Sequence, residues 1–158
     1  MRLDSTTLPG AGLLALRVVV GVTFLVHGLD KLGDLAGTEQ FFASLAIPAP
    51  GLMAPLVAVT ETVGGLLLVA GLATRFVGAA LTVNMLVALV TAHDELAFFV
   101  ADGSIELELL LAGANLAIVL AGAGRFSLDE ALGLERRISR WWRDQGVDAL
   151  AGRSTSAR

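Results

Sequence analysis

Four long apolar runs dominate the chain, and short polar segments separate them. The runs cover residues 12–29, 52–73, 76–92 and 105–123. Each is close to the roughly 20 apolar residues that a bilayer-crossing helix needs. None carries the regular polar stripe of a soluble amphipathic helix. The pattern predicts an all-α integral membrane protein, a four-helix bundle within residues 1–126.

The connections between the runs are short except for the first. Residues 30–51 contain a stretch whose apolar and polar positions predict a short amphipathic surface helix, ended by Pro48 and Pro50 because a proline disfavours helical geometry in its predecessor. Thr74 and Arg75 are expected to form a tight turn, which makes the second and third spans an antiparallel hairpin.

Beyond the fourth run, residues 127–148 predict an amphipathic cytoplasmic helix, and residues 149–158 a flexible tail. Ser127 and Glu130 have the spacing of a capping box. Trp141 and Trp142 then lie among several arginines, which suits either a helix on the anionic leaflet or one docked on the bundle.

Composition supports the membrane assignment and excludes other classes. Of 158 residues, 55% are hydrophobic and 16% are charged, and the mean hydropathy is +0.76. Soluble domains have about 25% charged residues, and disordered chains are less hydrophobic still. A net charge of −4 argues against nucleic acid as a partner. The chain has no cysteine, so it forms no disulfide and performs no dithiol chemistry itself.

The distribution of Lys and Arg predicts the orientation. With four crossings, one side receives a set of arginines, and the other receives Lys31 with most of the loop acids. Because cytoplasmic loops carry the excess of basic residues, both termini are expected in the cytoplasm. The arginines are Arg2, Arg75, Arg125, Arg136, Arg137, Arg140 and Arg143.

Arg17 and Glu61 are ionisable residues inside the apolar runs. Each costs about 2.5–3.5 kcal/mol at the bilayer centre on insertion scales, so each needs a partner or a purpose. An Arg17–Glu61 ion pair is one expectation, and an Arg17 side chain that reaches the cytoplasmic interface alone is the alternative.

Further polar residues cluster at the external ends of the predicted helices. Four of them, His27, Glu61, His93 and Glu106, are predicted to form a proton-handling pocket, and Arg17, Lys31 and Glu108 to bind its ligand. Glu106 and Glu108 are two residues apart, so only one can face the interior; Glu108 shares its face with Asn115. Two alternatives stay open: solvation among lipid headgroups, and metal coordination, which no ExxH or HExxH spacing supports. Asn84 and Asn115 are expected to bridge helices.

Several strings, in order, resemble the DoxX family. They are RVVVGVTFLVHGLDKL (residues 17–32), FFASLAIPAP (41–50), ETVGGLLLVAGLATR (61–75), FFVADGSIELELLL (98–111) and GAGRFSLDEAL (122–132). The resemblance implies a four-span bacterial inner-membrane protein. It also implies recurrent polar positions, which fall on Arg17, His27, Lys31, Glu61, Arg75, His93 and Glu106. Gly122-Ala123-Gly124 departs from the family's Gly-Pro-Gly.

Relatives that the resemblance brings in include the membrane subunit of a thiosulfate:quinone oxidoreductase and members of redox-defence complexes. The function expected is therefore a membrane subunit of a quinone-linked oxidoreductase or redox-defence complex. Its cofactor would be a quinone that is not covalently bound, and its partners the lipid bilayer and soluble or membrane redox proteins, with a homo-oligomer left open. A non-catalytic anchor for soluble partners is the alternative, and a small-solute transporter is weaker because no pair of broken helices is evident.

Overall fold

The computed structural model of the chain describes residues 7–92 and 105–134, and this part is all-helical, as predicted. The helices are α1 (Thr7–Gly33), α2 (Leu35–Ser44), α3 (Pro50–Ala70), α4 (Thr74–Thr91), α5 (Glu106–Ala121) and α6 (Leu128–Ala131). The predicted surface helix between the first two spans is α2, and its N-cap is Asp34, which accepts the backbone N–H of Gly37 at 2.9 Å.

Helices α1 and α3 pack closely because glycines remove side chains from their contact. A methyl group added to Gly21 would lie 2.7 Å from the carbonyl oxygen of Gly65. Two turns further along α1, a methyl group on Gly28 would overlap the backbone and hydroxyl of Thr62. Small residues allow membrane helices to approach in this way, and dispersion contacts then hold them together. The α1–α3 register is therefore fixed by backbone contact.

Helix α5 packs against α4 and completes the bundle. Gly78 of α4 leaves room for Val119, whose side chain would lie 2.9 Å from an added methyl group. The buried core between the helices is apolar, and its members are Val20, Phe24, Leu68, Leu81, Met85, Leu111, Ala112 and Ile118.

Apolar side chains also cover the outside of the bundle, as expected of a protein in contact with the lipid bilayer. Phe76 is 74% exposed and Leu120 is 72% exposed. Among the described residues, three helices, α1 over Gly10–Gly33, α3 and α4, are long and apolar enough to cross a membrane. Helix α5 has 16 residues, and the fourth crossing that was expected over residues 105–123 stays a prediction.

The second and third long helices meet at a turn that lies three residues earlier than predicted. Helix α3 ends at Ala70 because Gly71 takes the left-handed conformation with φ 70°. Thr74, expected in the turn, is instead the first residue of α4. The predicted span extended to residue 73 because the residues of this turn are apolar. Hydropathy carries no information about backbone conformation.

The bundle has an α2 end and an α6 end, each with the short helix after which it is called. At the α6 end, Ser127 caps α6 and accepts the backbone N–H of Glu130 at 3.1 Å, which confirms the N-cap half of the predicted box. Asp129 then reaches back to the first turn of α4. The remainder of the predicted cytoplasmic helix, from residue 135, and the predicted tail lie outside the described residues.

Candidate functional site

A cavity of about 250 Å³ lies at the α2 end of the bundle, among α1, α2, α3, α4 and α5. Its walls are mainly apolar, and α2 covers it with aromatic side chains. The apolar residues of the wall include Phe24, Phe41, Phe42, Met53, Val57, Met85 and Leu111. The polar residues are His27, Lys31, Glu61, Asn84, Thr91 and Glu108. A largely apolar pocket with a few convergent polar groups is the usual form of a small-molecule site.

Glu61 is the centre of the polar part of this cavity. It is only 2% exposed, and both of its carboxylate oxygens have partners. Lys31 Nζ donates to Oε2 at 2.5 Å, and Asn84 Nδ2 donates to Oε1 at 2.8 Å. A buried carboxylate is tolerated when it is paired and hydrogen-bonded in this way. The three side chains come from α1, α3 and α4, so one carboxylate joins three helices.

The two glutamates at the start of α5 have different positions. Glu108 lines the cavity, whereas Glu106 is not among the described residues that do. The difference follows from helical geometry, because residues two apart point to nearly opposite sides of a helix. Asn115, seven residues beyond Glu108, is fully buried and donates to the carbonyl of Leu111 at 2.9 Å. Glu108 is therefore the glutamate directed to the cavity, and a place for Glu106 in the pocket stays a prediction.

Of the two predicted histidines, His27 lies in the part of the chain that the structure describes. His27 lines the cavity and is also exposed, four residues before Lys31 on α1. It can therefore contact both a molecule in the cavity and the surroundings of the bundle. His93 lies outside the described residues. In residues 7–92 and 105–134, no three His, Asp or Glu side chains converge as metal ligands.

Arg17 lies at the other end of the bundle, so the expected Arg17–Glu61 ion pair is wrong. Its guanidinium is fully buried, donates to the carbonyl oxygen of Phe126 at 2.5 Å and packs directly against Gly71. Gly71 follows Glu61 by ten residues, about 15 Å along a helix. The alternative of an Arg17 side chain reaching the interface alone also fails, and Arg17 is not among the residues that line the cavity.

Asn84 is the site residue that sequence reasoning undervalued. It was expected to bridge helices, and it does, but through a carboxylate on the wall of the cavity. An amide inside an apolar span was the available signal. The hydrogen-bond partner of Asn84 depends on the packing of α4 against α3, which no local sequence pattern predicts. The aromatic cover from Phe41 and Phe42 of α2 was missed for the same reason.

The relationship of this chain to known proteins follows from its match to a protein-family model. The model named DoxX matches residues 12–94, just over half of the chain. The chain belongs to the DoxX family. The matched range includes most of α1, all of α2, α3 and α4, and the residues Lys31, Glu61 and Asn84.

Named relatives of this DoxX chain are bacterial. It is 37% identical over 118 residues to CatD of Bacillus subtilis, which is named provisionally as an oxidoreductase; the match covers 75% of this chain and 84% of CatD. The inner membrane protein YqjF of Escherichia coli is 29% identical, over 79% of this chain and 95% of YqjF. The inner membrane protein YphA of the same species is 32% identical, over 74% and 87%. No solved structure matches the chain significantly.

Proposed function

We propose that this DoxX protein is the membrane subunit of a quinone-linked oxidoreductase or redox-defence complex, and that the cavity binds the quinone headgroup. The observation that supports this most is a cavity inside apolar helices that combines aromatic walls with the Lys31–Glu61–Asn84 cluster. The name of CatD, provisionally an oxidoreductase, supports the same class of function.

The residues of the cavity fit a flat ring that carries carbonyl oxygens. Phe24, Phe41 and Phe42 supply aromatic contact surface. Both oxygens of Glu61 are already occupied, so the hydrogen bonds left for a ligand at the cluster come mainly from donors. Lys31 has three N–H groups and Asn84 has two, of which Glu61 takes one each. Donors of this kind bind a carbonyl oxygen or an oxyanion.

Proton handling in this proposal belongs to the other titratable residues of the wall. Glu108 and His27 line the cavity, and a carboxylate and an imidazole are the usual acids and bases of proteins. His27 is exposed as well and can exchange protons with the surroundings. A bound quinone would supply the capacity to take up two electrons and two protons. The chain has no cysteine, and we assign the electrons to a redox partner protein.

We further propose an inner-membrane location with α5 as a fourth crossing and both termini in the cytoplasm. Arg75 and Arg125 lie towards the α6 end. Asp30, Asp34 and Glu39 lie at the α2 end with Lys31. Under the rule that cytoplasmic segments carry the basic residues, the α6 end faces the cytoplasm. The cavity then opens near the external face.

Protection of Lys31 tests quinone binding without any substitution, because Lys31 is the only lysine of the chain. Purified protein in nanodiscs would be acylated with and without a fully substituted short-chain benzoquinone, and the peptide carrying Lys31 quantified by mass spectrometry. Saturable protection of Lys31, with no change in acylation of the N-terminal amine, is the expected result. Acylation of Lys31 that is unaffected at saturating quinone would refute the proposal.

Glu108→Gln and Glu106→Gln form a matched pair for a separate assay, the rate of quinone reduction by the complex. The two variants remove the same charge from the same turn of α5, but of the two glutamates only Glu108 is a described residue of the cavity wall. Glu108→Gln is expected to slow quinone reduction by the complex by about 100-fold, within the usual range for loss of an acid–base group. Glu106→Gln should leave it unchanged, and equal effects would contradict the assignment.

Partner proteins are the remaining part of this proposal. We assign their recruitment to the predicted cytoplasmic segment, where four arginines and two tryptophans lie between residues 136 and 143. A chain that ends at residue 134 should insert normally but lose partners in affinity purification from native membranes. Full recovery of the same partners with the truncated chain would exclude the segment.

A further inference from the structure

Asn84 and Lys31 are linked indirectly, through the carboxylate of Glu61. Asn84 donates to Oε1 of Glu61, while Lys31 donates to Oε2 of the same carboxylate. The two donors therefore approach opposite oxygens of one nearly fully buried group. The side chain of Lys31 is 25% exposed and lines the cavity, so Lys31 contacts the buried carboxylate and also borders the space that a ligand would occupy.

We infer that Asn84 is a positioning residue that keeps the Lys31 ammonium directed towards a ligand in the cavity. The inference rests on the proposed function for the ligand, but its geometry does not depend on it. Because Asn84 already donates to Oε1, Lys31 donates to Oε2 alone and keeps two N–H groups for a ligand oxygen. Asn84 thereby contributes to ligand affinity whether or not it touches the ligand.

Loss of the amide has a defined consequence for Glu61. Its Oε1 would be left buried without a donor, which is unfavourable for a charged group. The Lys31 ammonium already donates to the other oxygen of this carboxylate, and it would turn inwards to bind both oxygens. The ammonium would then be less open to the cavity and less available to a reagent or a ligand.

The single lysine makes this movement measurable. In Asn84→Leu, the acylation rate of Lys31 should fall severalfold, and the affinity for the short-chain benzoquinone should fall by about tenfold, the equivalent of one hydrogen bond to a charged group. Asn84→His, which restores a side-chain N–H donor, should recover part of both. If Asn84 only held α3 and α4 together, Asn84→Leu would lower thermal stability without changing the acylation rate of Lys31 or the quinone affinity.

Asn115 offers the matched control. It is also an asparagine inside the bundle, but its amide donates within its own helix, to Leu111. Asn115→Leu should leave the acylation rate of Lys31 and the quinone affinity unchanged. An Asn84→Leu protein that remains folded in nanodiscs and shows the wild-type acylation rate would overturn the inference.

The two proposals fail in different ways. If wild-type protein shows no saturable quinone protection, the proposed function fails. A slower acylation of Lys31 in Asn84→Leu would then still support the positioning role, since that rate is measured without ligand. Conversely, wild-type quinone affinity in Asn84→Leu overturns the positioning role and leaves quinone binding intact.

Discussion

Asp129 accepts the backbone N–H of Thr74 at 2.8 Å, so a residue of α6 caps the N-terminus of α4. The same carboxylate accepts the backbone N–H of Ala73 at 2.8 Å, and the backbone N–H of Asp129 donates to Gly71 at 2.9 Å. Helix N-termini leave N–H groups without internal partners and attract negative charge. Asp129 therefore holds the α3–α4 turn and the segment after α5 together through both its carboxylate and its backbone N–H.

Removal of the Asp129 carboxylate should destabilise the bundle. Asp129 is only 5% exposed, and Asp129→Ala leaves the N–H groups of Ala73 and Thr74 without their acceptor. A loss of about 2 kcal/mol is expected, at the upper end for an N-cap because two charge-assisted bonds are lost. Unfolding in mixed detergent micelles measures it.

Asp34 is the control for this substitution, since it caps the exposed helix α2 through a single local bond to Gly37. Asp34→Ala should cost about 0.5–1 kcal/mol. Equal losses in the free energy of unfolding for Asp129→Ala and Asp34→Ala would show that Asp129 acts only within its own turn.

Gly71 is required both for its backbone conformation and for the space that Arg17 occupies. Its φ is 70°, and a methyl group there would overlap the Arg17 guanidinium. Gly133 has φ 68° but nothing within 4 Å of an added methyl group. Gly71→Ala should therefore destabilise the protein by about 1–3 kcal/mol more than Gly133→Ala, the range for overpacking. Similar melting temperatures for the two variants would contradict the tight packing of Arg17.

Gly28 sets the distance between α1 and α3 beside the site. In Gly28→Ala the added methyl group meets Thr62, so α1 must move outwards at a cost of about 1–3 kcal/mol. Lys31 lies three residues further along α1 and would move with it, so its acylation rate should rise as well.

Gly113 of α5 has nothing within 4 Å of an added methyl group and serves as the comparison. Gly113→Ala should be neutral or slightly stabilising, because alanine is favoured over glycine in a helix by up to about 1 kcal/mol. A Gly28→Ala protein as stable as Gly113→Ala would show that the helices are not in backbone contact.

Lys31 and Glu61 should behave as a coupled pair. Lys31→Met leaves the buried Glu61 carboxylate without its cation, and breaking a buried ion pair from one side costs about 3–5 kcal/mol. The double variant Lys31→Met with Glu61→Leu removes both charges and should be more stable than Lys31→Met alone. Unfolding free energies of the four proteins in a double-mutant cycle measure the coupling. Strictly additive losses would argue against the pair.

Most of the helical architecture is predictable from the apolar runs, because a span must be long and apolar whatever it packs against. Local chemistry also predicts α2 and the cap at Ser127. The end of α3 is not predictable in this way, since Leu72 and Ala73 are apolar and only the conformation of Gly71 ends the helix.

The composition of the site is predictable, but its pairing is not. Lys31, Glu61 and Glu108 could be proposed from their positions near helix ends. The choice of Lys31 over Arg17 as the partner of Glu61 depends on the register of α1 against α3. That register is set where Gly21 and Gly28 meet the backbone of α3. Such contacts join residues more than 30 positions apart, and no window of sequence contains both.

The contact between Arg17 and Phe126 has a consequence for the order in which the protein assembles. The two residues are separated by 109 positions, so α1, α3 and α4 are synthesised before the partner of Arg17 exists. Until then a buried cation in the first helix is without its acceptor, and the first turn of α4 is without Asp129. These contacts can therefore form only after the segment beyond α5 has been synthesised, and a chain that lacks this segment keeps an unsatisfied charge in its first helix.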